Sequence, residues 1–370
     1  MVELQSCTSN QFMEIAKDRK MICFCAGENF MRFCKNYPVV PQIEYVVDNF
    51  KAGTVMKIQE RGIPVVSIEQ SCDVSEETVL VLTSVKVADE IIPQLDQNRA
   101  FDDKILYVPE MFEAEKIDFA LNQNAVQRIP KVIHYCWFGR SPIPKSFLDN
   151  IDTWKRCCPD YEIKQWNEDN YDISKNRYML QAYEKKKWGF VPDYARLDII
   201  AMQGGIYLDT DVKMVRSFDP LLQFGLFCGF ESATRVNFGQ GFGAVKGHLV
   251  IETMRNEYEK LDFLKDDGAM NLEPSPVYQT RTLEKLGLTI NGMLQQVGDM
   301  VVFPPEYFSP VNEFGYGQPT QNTFSIHQYD GSWYDEEQRK IKKRIIRNYE
   351  YISKRMNRET DNGKYNSSCL

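Results

Sequence analysis

The chain has 370 residues, of which 43% are hydrophobic and 26% are charged, and its formal net charge is −8. This length predicts two domains, and this composition is typical of globular proteins rather than of disordered or fibrous ones. The negative charge excludes general binding to DNA or RNA, which needs a basic face, but allows one small anionic ligand held by local cations or a metal.

The sequence contains no segment typical of a membrane span or an export signal. No uninterrupted apolar run approaches the roughly 20 residues that cross a bilayer, and the N-terminus lacks a charged leader followed by an apolar stretch. The ten cysteines include Cys23 and Cys25, and the adjacent Cys157 and Cys158, but no CxxC pair, so their spacing is not that of a zinc site. We therefore expect a cytoplasmic protein with reduced thiols.

The first 125 residues alternate between short apolar runs and helical patterns. The apolar runs lie at residues 21–27, 43–49, 63–70 and 78–84, and a helical pattern follows at residues 88–95. Short buried strands separated by helices predict a Rossmann-like α/β domain with a parallel sheet over residues 1–125.

The turn after the first apolar run separates two interpretations of this domain. Asp48, at the end of the second run, stands where a dinucleotide-binding domain places its ribose-binding carboxylate. The turn itself holds one glycine, Gly27, instead of three, and Glu28 would bring a negative charge near a phosphate. The pattern therefore favours a scaffold or interaction domain of unknown role, with dinucleotide binding as the alternative.

A second α/β domain is predicted over residues 126–335. Pro130 ends a helical or linker stretch, and an apolar strand begins directly after it, at residues 131–135. The remaining residues, 336–370, are predicted to form a separate segment, a basic helix followed by a polar tail.

The basic helix of this last segment permits two interpretations. It mixes isoleucines, Ile341, Ile345 and Ile352, with lysines and arginines, in a chain that is acidic as a whole. Such a helix lies on an anionic membrane surface, or it packs its isoleucines on its own domain. Both interpretations remain open at the level of the sequence.

The strongest chemical signal is a pair of carboxylates at the end of an apolar run. Residues 206–208 lead directly into Asp209 and Asp211, and a Gly-Gly pair at 204–205 ends the preceding helix. Residues two apart on an extended chain point to the same side, so both carboxylates converge at the carboxyl end of a strand, where open α/β sheets bind ligands. Mg²⁺ and Mn²⁺ prefer such oxygen ligands and keep positions for substrate phosphates.

The helix before the Gly-Gly pair carries a second pair of charged residues. Asp193 and Arg196 are three apart and therefore share one helical face. One interpretation is a surface ion pair, which stabilises a fold by less than about 1 kcal/mol. The other is a functional pair, in which the carboxylate binds sugar hydroxyls and the guanidinium reaches a phosphate.

Two strings resemble the DXD signature of glycosyltransferase family 32: Asp193-Tyr-Ala-Arg196 and Gly204-Gly-Ile-Tyr-Leu-Asp-Thr-Asp211. That family includes bacterial capsule and lipopolysaccharide sugar transferases and yeast mannosyltransferases. The resemblance covers roughly residues 129–335 and is carried by an opening strand at residues 129–134 and by the segments 159–161, 163–167 and 327–333. It implies a GT-A fold, a nucleotide-diphosphate sugar as donor, a divalent cation, commonly Mn²⁺, and retention of the anomeric configuration.

The resemblance also implies roles for individual residues. Asp209 and Asp211 match the positions that contact the metal and the ribose or phosphates of the donor. Asp193 and Arg196 match catalytic positions that hold the donor sugar. His327, in a C-terminal loop of the form H-x-x-x-x-S-W, would complete the shell of the cation through an imidazole nitrogen.

Further donor contacts follow from the same resemblance. His134 and Trp137 lie where the family places the nucleotide base, Tyr207 matches an aromatic residue beside the motif, and Ser332 and Trp333 would cover the diphosphate. For His134 and Tyr207 a structural role is an open alternative.

The acceptor side is less defined by the resemblance. Relatives often place an asparagine where this chain has Gln240, which keeps both amide functions on a longer side chain. We therefore assign Gln240 a catalytic role as an expectation. Asn237 and Glu231 are neighbouring polar candidates, each with a plain loop role as its alternative.

The predicted function is that of a metal-dependent, retaining glycosyltransferase, with a UDP-sugar favoured as donor and Mn²⁺ or Mg²⁺ as the cation. The acceptor is expected to be a saccharide or a lipid-linked oligosaccharide in bacterial surface polysaccharide synthesis. No strong enzymic nucleophile is evident, which fits attack by the acceptor hydroxyl near the departing phosphate. A nucleotide-sugar hydrolase and a non-enzymatic scaffold of a polysaccharide-synthesis assembly are the two alternatives.

Overall fold

The structure is a computed structural model that describes residues 1–71, 74–113, 121–122, 125–330 and 336–360, with side chains up to Met356. The chain divides into two compact units. The first comprises Met1–Lys116 together with Asp335–Leu370, and the second comprises Ile117–Tyr334. The C-terminal segment, which was predicted to be separate, therefore belongs to the first unit.

The first unit is built on a seven-stranded sheet in the order β1-β7-β6-β2-β3-β5-β4, in which every neighbouring pair is parallel except β4 and β5. Strands β2 and β6 are buried along their whole length, which explains their continuous apolar sequences. This sheet and its helices form the predicted Rossmann-like α/β arrangement. The elements are β1 (Glu3–Gln5), α1 (Ser9–Ala16), β2 (Met21–Phe24), α2 (Glu28–Asn36), β3 (Ile43–Val47), β4 (Val55–Ile58), β5 (Arg61–Val66), β6 (Val79–Leu82), α3 (Ala88–Gln97) and β7 (Ile105–Tyr107).

Asp48 has a local structural role at the carboxyl end of β3. Its carboxylate accepts hydrogen bonds from the backbone amides of Ala26 at 2.9 Å, Phe50 at 3.0 Å and Lys51 at 3.2 Å. These contacts tie the turn after β2 to the turn after β3. Because both oxygens of Asp48 already have donors, this arrangement favours the scaffold interpretation of the first unit over dinucleotide binding.

The second unit is built on an eight-stranded sheet whose path runs β15-β16-β12-β14-β10-β8-β9, with β13 paired to β12, and a separate two-stranded sheet joins β11 to β17. The predicted α/β class is confirmed. The elements are β8 (Val132–Cys136), α4 (Lys145–Cys157), β9 (Glu162–Trp166), α5 (Arg177–Glu184), α6 (Pro192–Gln203), β10 (Gly205–Tyr207), β11 (Val212–Met214), β12 (Leu226–Ser232), β13 (Arg235–Val236), β14 (Phe242–Ala244), α7 (Leu249–Tyr258), α8 (Ser275–Lys285), β15 (Gln295–Val297), β16 (Met300–Phe303) and β17 (Ser325–His327).

The Gly-Gly pair places β10 in this sheet. Gly204 and Gly205 have φ values of 68° and 101°, which side chains other than glycine rarely adopt. A Cβ atom on Gly204 would lie 2.8 Å from the backbone nitrogen of Lys246, and one on Gly205 would lie 2.8 Å from the carbonyl oxygen of Val132. Glycine at both positions therefore lets the chain leave α6 and enter β10 directly, beside β8 and β14.

The C-terminal helix α9 (Glu336–Thr360) packs on the first unit. Ile345 and Ile352 are buried, whereas Ile341 is 51% exposed. The buried amide of Asn348 donates to the carbonyl oxygen of Val85 at 2.9 Å. Packing on its own unit, one of the two interpretations of this helix, is therefore what the structure shows for Ile345 and Ile352.

Ion pairs add to this attachment of α9. Arg344 pairs with Asp89 and Glu90, and Arg355 pairs with Asp96 at 2.6 Å.

Within the described ranges, no helix has the length and apolar content that a transmembrane segment needs. The eight cysteines of the same ranges are all free thiols, and six of them are buried.

Candidate active site

The two carboxylates follow β10 at the edge of the sheet where the parallel strands β8, β9 and β10 end. The backbone amide of Asp209 donates to the carbonyl oxygen of Gly239 at 2.9 Å, which ties the motif to the segment before β14. Beyond Asp209 the chain enters β11, whose first residue, Val212, lies opposite His327 of β17. This pairing brings the C-terminal histidine to the motif.

Asp211 and His327 form one half of the site. The Nε2 atom of His327 lies 3.3 Å from Oδ1 of Asp211, and the other carboxylate oxygen accepts from the backbone amide of Asp330 at 3.2 Å. Burial alone would lower the pKa of His327, but the charges of Asp211, Asp209 and Glu231 outweigh burial and raise it. Burial alone would raise the pKa of Asp211, but His327 and the Asp330 amide outweigh burial and lower it.

The donor atoms of this half suit a cation that is also held by a substrate. Asp211 offers a carboxylate, and Nε2 of His327, which faces it at 3.3 Å, offers an imidazole nitrogen once its proton is lost. An oxygen and an imidazole nitrogen are acceptable ligands for Mn²⁺, and such ions commonly complete their shell with substrate phosphates. The residues therefore fit a cation bound largely through a diphosphate.

Asp209 forms the other half of the site and has different partners. Its Oδ1 accepts from the Tyr207 hydroxyl at 3.0 Å and from Nη2 of Arg196 at 3.1 Å. In the part of the chain that the structure describes, no three histidine, cysteine or acidic side chains converge as a cation site. The three predicted metal ligands are thus brought close, but Asp209 faces Arg196 and Tyr207 instead of joining the other two.

Arg196 lies between two carboxylates in the protein interior. Its Nη1 is 3.3 Å from Asp193 and 3.2 Å from the Ser275 hydroxyl, while Nη2 contacts Asp209. The Arg196 side chain is only 4% exposed, which excludes the surface ion pair that the spacing left open. Burial opposes the charged form, but Asp209, Tyr207 and Asp193 outweigh burial and raise the pKa of Arg196.

Asp193 is a buried carboxylate, 3% exposed. Burial raises its pKa to about 7, Arg196 opposes that rise, and Asp209 adds to it. Asp193 and Arg196 offer almost no side-chain surface to a sugar in this structure. Asp209, at 28% exposure, is the accessible member of the group. The geometry indicates that Asp193 and Arg196 orient Asp209.

Tyr207 and His134 both have roles inside the fold. The Tyr207 ring lies under the Arg196 guanidinium, 5.2 Å from ring centroid to Cζ, and its hydroxyl binds Asp209. The indole nitrogen of Trp166 donates to Nδ1 of His134 at 3.1 Å, so Nε2 carries the proton and donates to the carbonyl oxygen of Gly204 at 3.1 Å. His134 has no exposed surface, and burial lowers its pKa to about 4. This placement does not support the predicted contact of His134 with a nucleotide base.

Trp137 remains available at the same sheet edge. It follows β8 directly, its indole nitrogen donates to the carbonyl oxygen of Ser141 at 2.6 Å, and its ring packs edge-on against Phe147. Contact of Trp137 with a base stays a prediction. Ser332 and Trp333, predicted to cover a diphosphate, lie outside the described residues.

Gln240 is enclosed by the sheet. Its amide nitrogen donates to the carbonyl oxygens of Gly229 at 2.8 Å and Phe230 at 3.2 Å, and its amide oxygen accepts from the Ser309 hydroxyl. With no exposed surface and both amide groups engaged, Gln240 holds β12 in place. The structure therefore does not support the predicted catalytic role of Gln240.

The neighbouring pair, Asn237 and Glu231, is linked to the motif through Gly239. The Asn237 amide donates to Oε2 of Glu231 at 2.9 Å, and its oxygen accepts from the backbone amide of Gly239 at 2.7 Å. A Cβ atom on Gly239 would lie 2.1 Å from Oδ2 of Asp209, so a side chain at this position would displace that carboxylate. The sequence signal for this arrangement is the Asn-x-Gly spacing before β14. Asn237 binds Glu231, and Gly239 leaves room for the Asp209 carboxylate.

Comparison with known proteins is informative for the stretch that contains the site. Residues 144–227 match the family model described as a glycosyltransferase sugar-binding region containing a DXD motif. The chain is 30% identical over 140 residues to inositol phosphoceramide mannosyltransferase 3 of Schizosaccharomyces pombe, covering 36% of this chain and 38% of that protein. It is 29% identical over 174 residues to the mannosyl phosphorylinositol ceramide synthase SUR1 of Saccharomyces cerevisiae, covering 44% and 45%. The chain thus spans less than half the length of these relatives.

Two glycosyltransferases of known structure give weak matches to this chain. The PaToxG glycosyltransferase is 18% identical, with a TM-score of 0.34 over 43% of this chain and 69% of that one. A galactosyltransferase, LgtC, in complex with donor and acceptor sugar analogues, is 14% identical, with a TM-score of 0.30 over 58% and 95%.

Proposed function

We propose that this chain, a glycosyltransferase whose residues 144–227 form a DXD sugar-binding region, moves a sugar from a nucleotide-diphosphate donor to a saccharide or lipid-linked acceptor with the help of a divalent cation. The observation that supports the proposal is the contact of Asp211 with His327, next to Asp209, which Arg196 and Tyr207 hold in place. The Asp211 half suits the diphosphate of a nucleotide sugar, through a cation, and the Asp209 half suits its hydroxyl groups.

The proposed division of roles follows from exposure and charge. Asp211 and His327 would hold the cation, which would supply positive charge against the negative charge that develops on the leaving diphosphate. Asp209 presents its accessible carboxylate edge to the ribose or sugar hydroxyls of the donor. Asp193 and Arg196 act through Asp209, since a carboxylate held by a buried guanidinium cannot rotate away from its partner.

A direct test is a panel of donors, because the sequence resemblance favours a UDP-sugar and the mannosyltransferase names of the relatives add GDP-mannose. UDP-glucose, UDP-galactose, UDP-N-acetylglucosamine and GDP-mannose are each incubated with the protein, with Mn²⁺ or with a chelator, and nucleotide release is measured. We expect release from one donor class, abolished by the chelator. No release from any donor would favour the scaffold alternative.

Two further readouts address the finer parts of the proposal. A product that forms only when an acceptor is added separates a transferase from a nucleotide-sugar hydrolase. The anomeric configuration of that product, read by nuclear magnetic resonance, is expected to be that of the donor. An inverted product would contradict the retaining mechanism that the family resemblance implies.

Replacing Gly239 by alanine is expected to lower the rate of nucleotide release by about 100-fold, because the new Cβ would displace the Asp209 carboxylate from Arg196. Gly27→Ala is the matched control, since its Cβ would enter open space and its φ of −104° suits alanine. A Gly239→Ala protein as active as the control would show that the position of Asp209 does not govern the reaction.

We also propose a cytoplasmic location at the membrane, in bacterial surface polysaccharide synthesis, with α9 as the contact. Since Ile345 and Ile352 are buried, the outward face of α9 presents cations, Lys340, Lys343 and Arg347, which are all exposed. Each lysine or arginine near an anionic membrane surface contributes about 1 kcal/mol of attraction. Electrostatic attachment through this face requires no inserted apolar stripe.

Reversing these three charges to glutamate is expected to reduce sedimentation with phosphatidylglycerol vesicles by at least about tenfold, because attraction becomes repulsion. Phosphatidylcholine vesicles serve as the uncharged comparison. A matched control reverses the basic run Lys185, Lys186 and Lys187 after α5. Equal loss of sedimentation in both variants, or none in either, would contradict a specific role for α9.

A further inference from the structure

One carboxylate beside the site has an oxygen with no hydrogen-bond donor. Glu231 lies near the end of β12, and its side chain is 13% exposed. Its Oε2 accepts from Asn237, whereas its nearest cation, Nη1 of Arg235, is 3.6 Å from Oε1. Among the described residues, no donor lies within hydrogen-bonding distance of Oε1. Since Oε1 is not one of the fully enclosed side-chain atoms that lack a partner, a hydroxyl group from solvent or from a substrate can reach it.

A chain of short contacts fixes Glu231 relative to the motif. Glu231 binds the Asn237 amide, Asn237 binds the amide of Gly239, and the carbonyl oxygen of Gly239 binds the amide of Asp209, at 2.9, 2.7 and 2.9 Å. Glu231 also contributes to the electrostatic environment of His327. The free oxygen of Glu231 is therefore held near both halves of the site.

The charge of Glu231 limits which part of the substrate it can receive. A carboxylate repels a diphosphate, so contact with the leaving group is unfavourable. Among the described residues, Glu231 is not part of any group of three histidine, cysteine or acidic side chains that could hold a separate cation. A carboxylate does accept a hydrogen bond from a hydroxyl group, in a charge-assisted bond about twice as strong as a neutral one.

We propose that Glu231 binds the attacking hydroxyl of the acceptor through Oε1 and accepts its proton, an inference that rests on the proposed transferase function. The acceptor oxygen forms a bond to the anomeric carbon as the bond from that carbon to the diphosphate oxygen breaks. The electron pair of the broken bond leaves with the diphosphate, and the proton passes to Glu231, which returns it to solvent. In the absence of an acceptor, a water molecule takes the same place and the donor is hydrolysed.

Donor hydrolysis by water tests this role without knowledge of the acceptor. In Glu231→Gln, the amide keeps the size of the side chain but cannot take a proton, so kcat for nucleotide release is expected to fall at least about 100-fold. The dissociation constant of the nucleoside diphosphate with Mn²⁺ is expected to change by less than about twofold. Glu231→Asp, which retains a carboxylate but fits the site less well, is expected to recover part of the lost kcat.

The matched control is Glu306→Gln. Glu306 is a buried carboxylate of the same unit. It accepts hydrogen bonds from Thr320 at 3.2 Å and Asn322 at 3.0 Å, and neither of these partners belongs to the motif. Its kcat is expected to match that of the unmodified protein. Thermal unfolding of each variant identifies any general loss of structure, and Glu231→Asp replaces Glu231→Gln as the test if the latter does not fold.

Two outcomes would overturn the inference. If Glu231→Gln keeps kcat within about threefold, Glu231 serves only to hold Asn237 and the proton leaves by another route. If the variant instead loses nucleotide affinity by about tenfold or more, Glu231 belongs to the donor or cation site. An unmodified protein that neither binds nor releases any nucleotide would refute the proposed function itself, which these outcomes do not.

Discussion

Asp211→Asn is expected to reduce nucleotide release from the donor by at least about 1,000-fold, because losing one anionic cation ligand removes several kcal/mol of charge stabilisation from the leaving diphosphate. Asparagine keeps the shape of the side chain, and the backbone contact of Asp211 with Gln328 does not involve the side chain. Packing should therefore survive while the charge is lost. The rate of nucleotide release is measured at a saturating concentration of Mn²⁺.

Asp299→Asn is the matched control for Asp211→Asn. Asp299 pairs with His248 at 3.1 Å, an aspartate–histidine pair of the same kind in the same unit, but its partners lie outside the motif. The control should release nucleotide at the unmodified rate. Full activity of Asp211→Asn would show that the aspartate–histidine pair does not hold a catalytic cation.

Arg196→Met is expected to lower the free energy of unfolding by about 3–5 kcal/mol, because it leaves Asp193 and Asp209 without their shared buried cation. Activity should be lost as well, since Asp209 is no longer oriented. Thermal and denaturant unfolding of the full chain, followed by circular dichroism, measure the change in stability.

Arg255→Met provides the comparison for this prediction. Arg255 pairs with Asp198 at 3.3 Å but is more exposed than Arg196, and Lys175 also pairs with Asp198. Its loss should destabilise the protein less than the loss of Arg196, because Lys175 and the Tyr171 hydroxyl still contact Asp198. If Arg196→Met and Arg255→Met destabilise the protein equally, Arg196 is not the central cation of a buried carboxylate pair.

Part of the site follows from local sequence rules. Strand periodicity and the Gly-Gly pair predict that Asp209 and Asp211 follow a strand in an α/β sheet, and they do. Their different partners do not follow from those rules. His327 reaches Asp211 only through the pairing of β11 with β17, whose residues lie far apart in the chain.

Burial explains the other differences between prediction and structure. The spacing of Asp193 and Arg196 is the same for an exposed and a buried pair, and only the enclosure of α6 makes theirs a buried one. The sequence identifies a polar candidate at position 240, but it does not show that this side chain points into the protein. That orientation depends on hydrogen bonds to the carbonyl groups of β12 and to Ser309. The carboxylate with an available oxygen is instead Glu231.

The central claim is tested most directly by calorimetric titration of UDP and GDP into the protein, with and without Mn²⁺, and into Asp211→Asn. The account predicts that one of the two nucleotides binds, that binding depends on Mn²⁺, and that Asp211→Asn loses this dependence. Absence of binding by either nucleotide, with or without metal, would contradict a metal-dependent transferase and favour a scaffold.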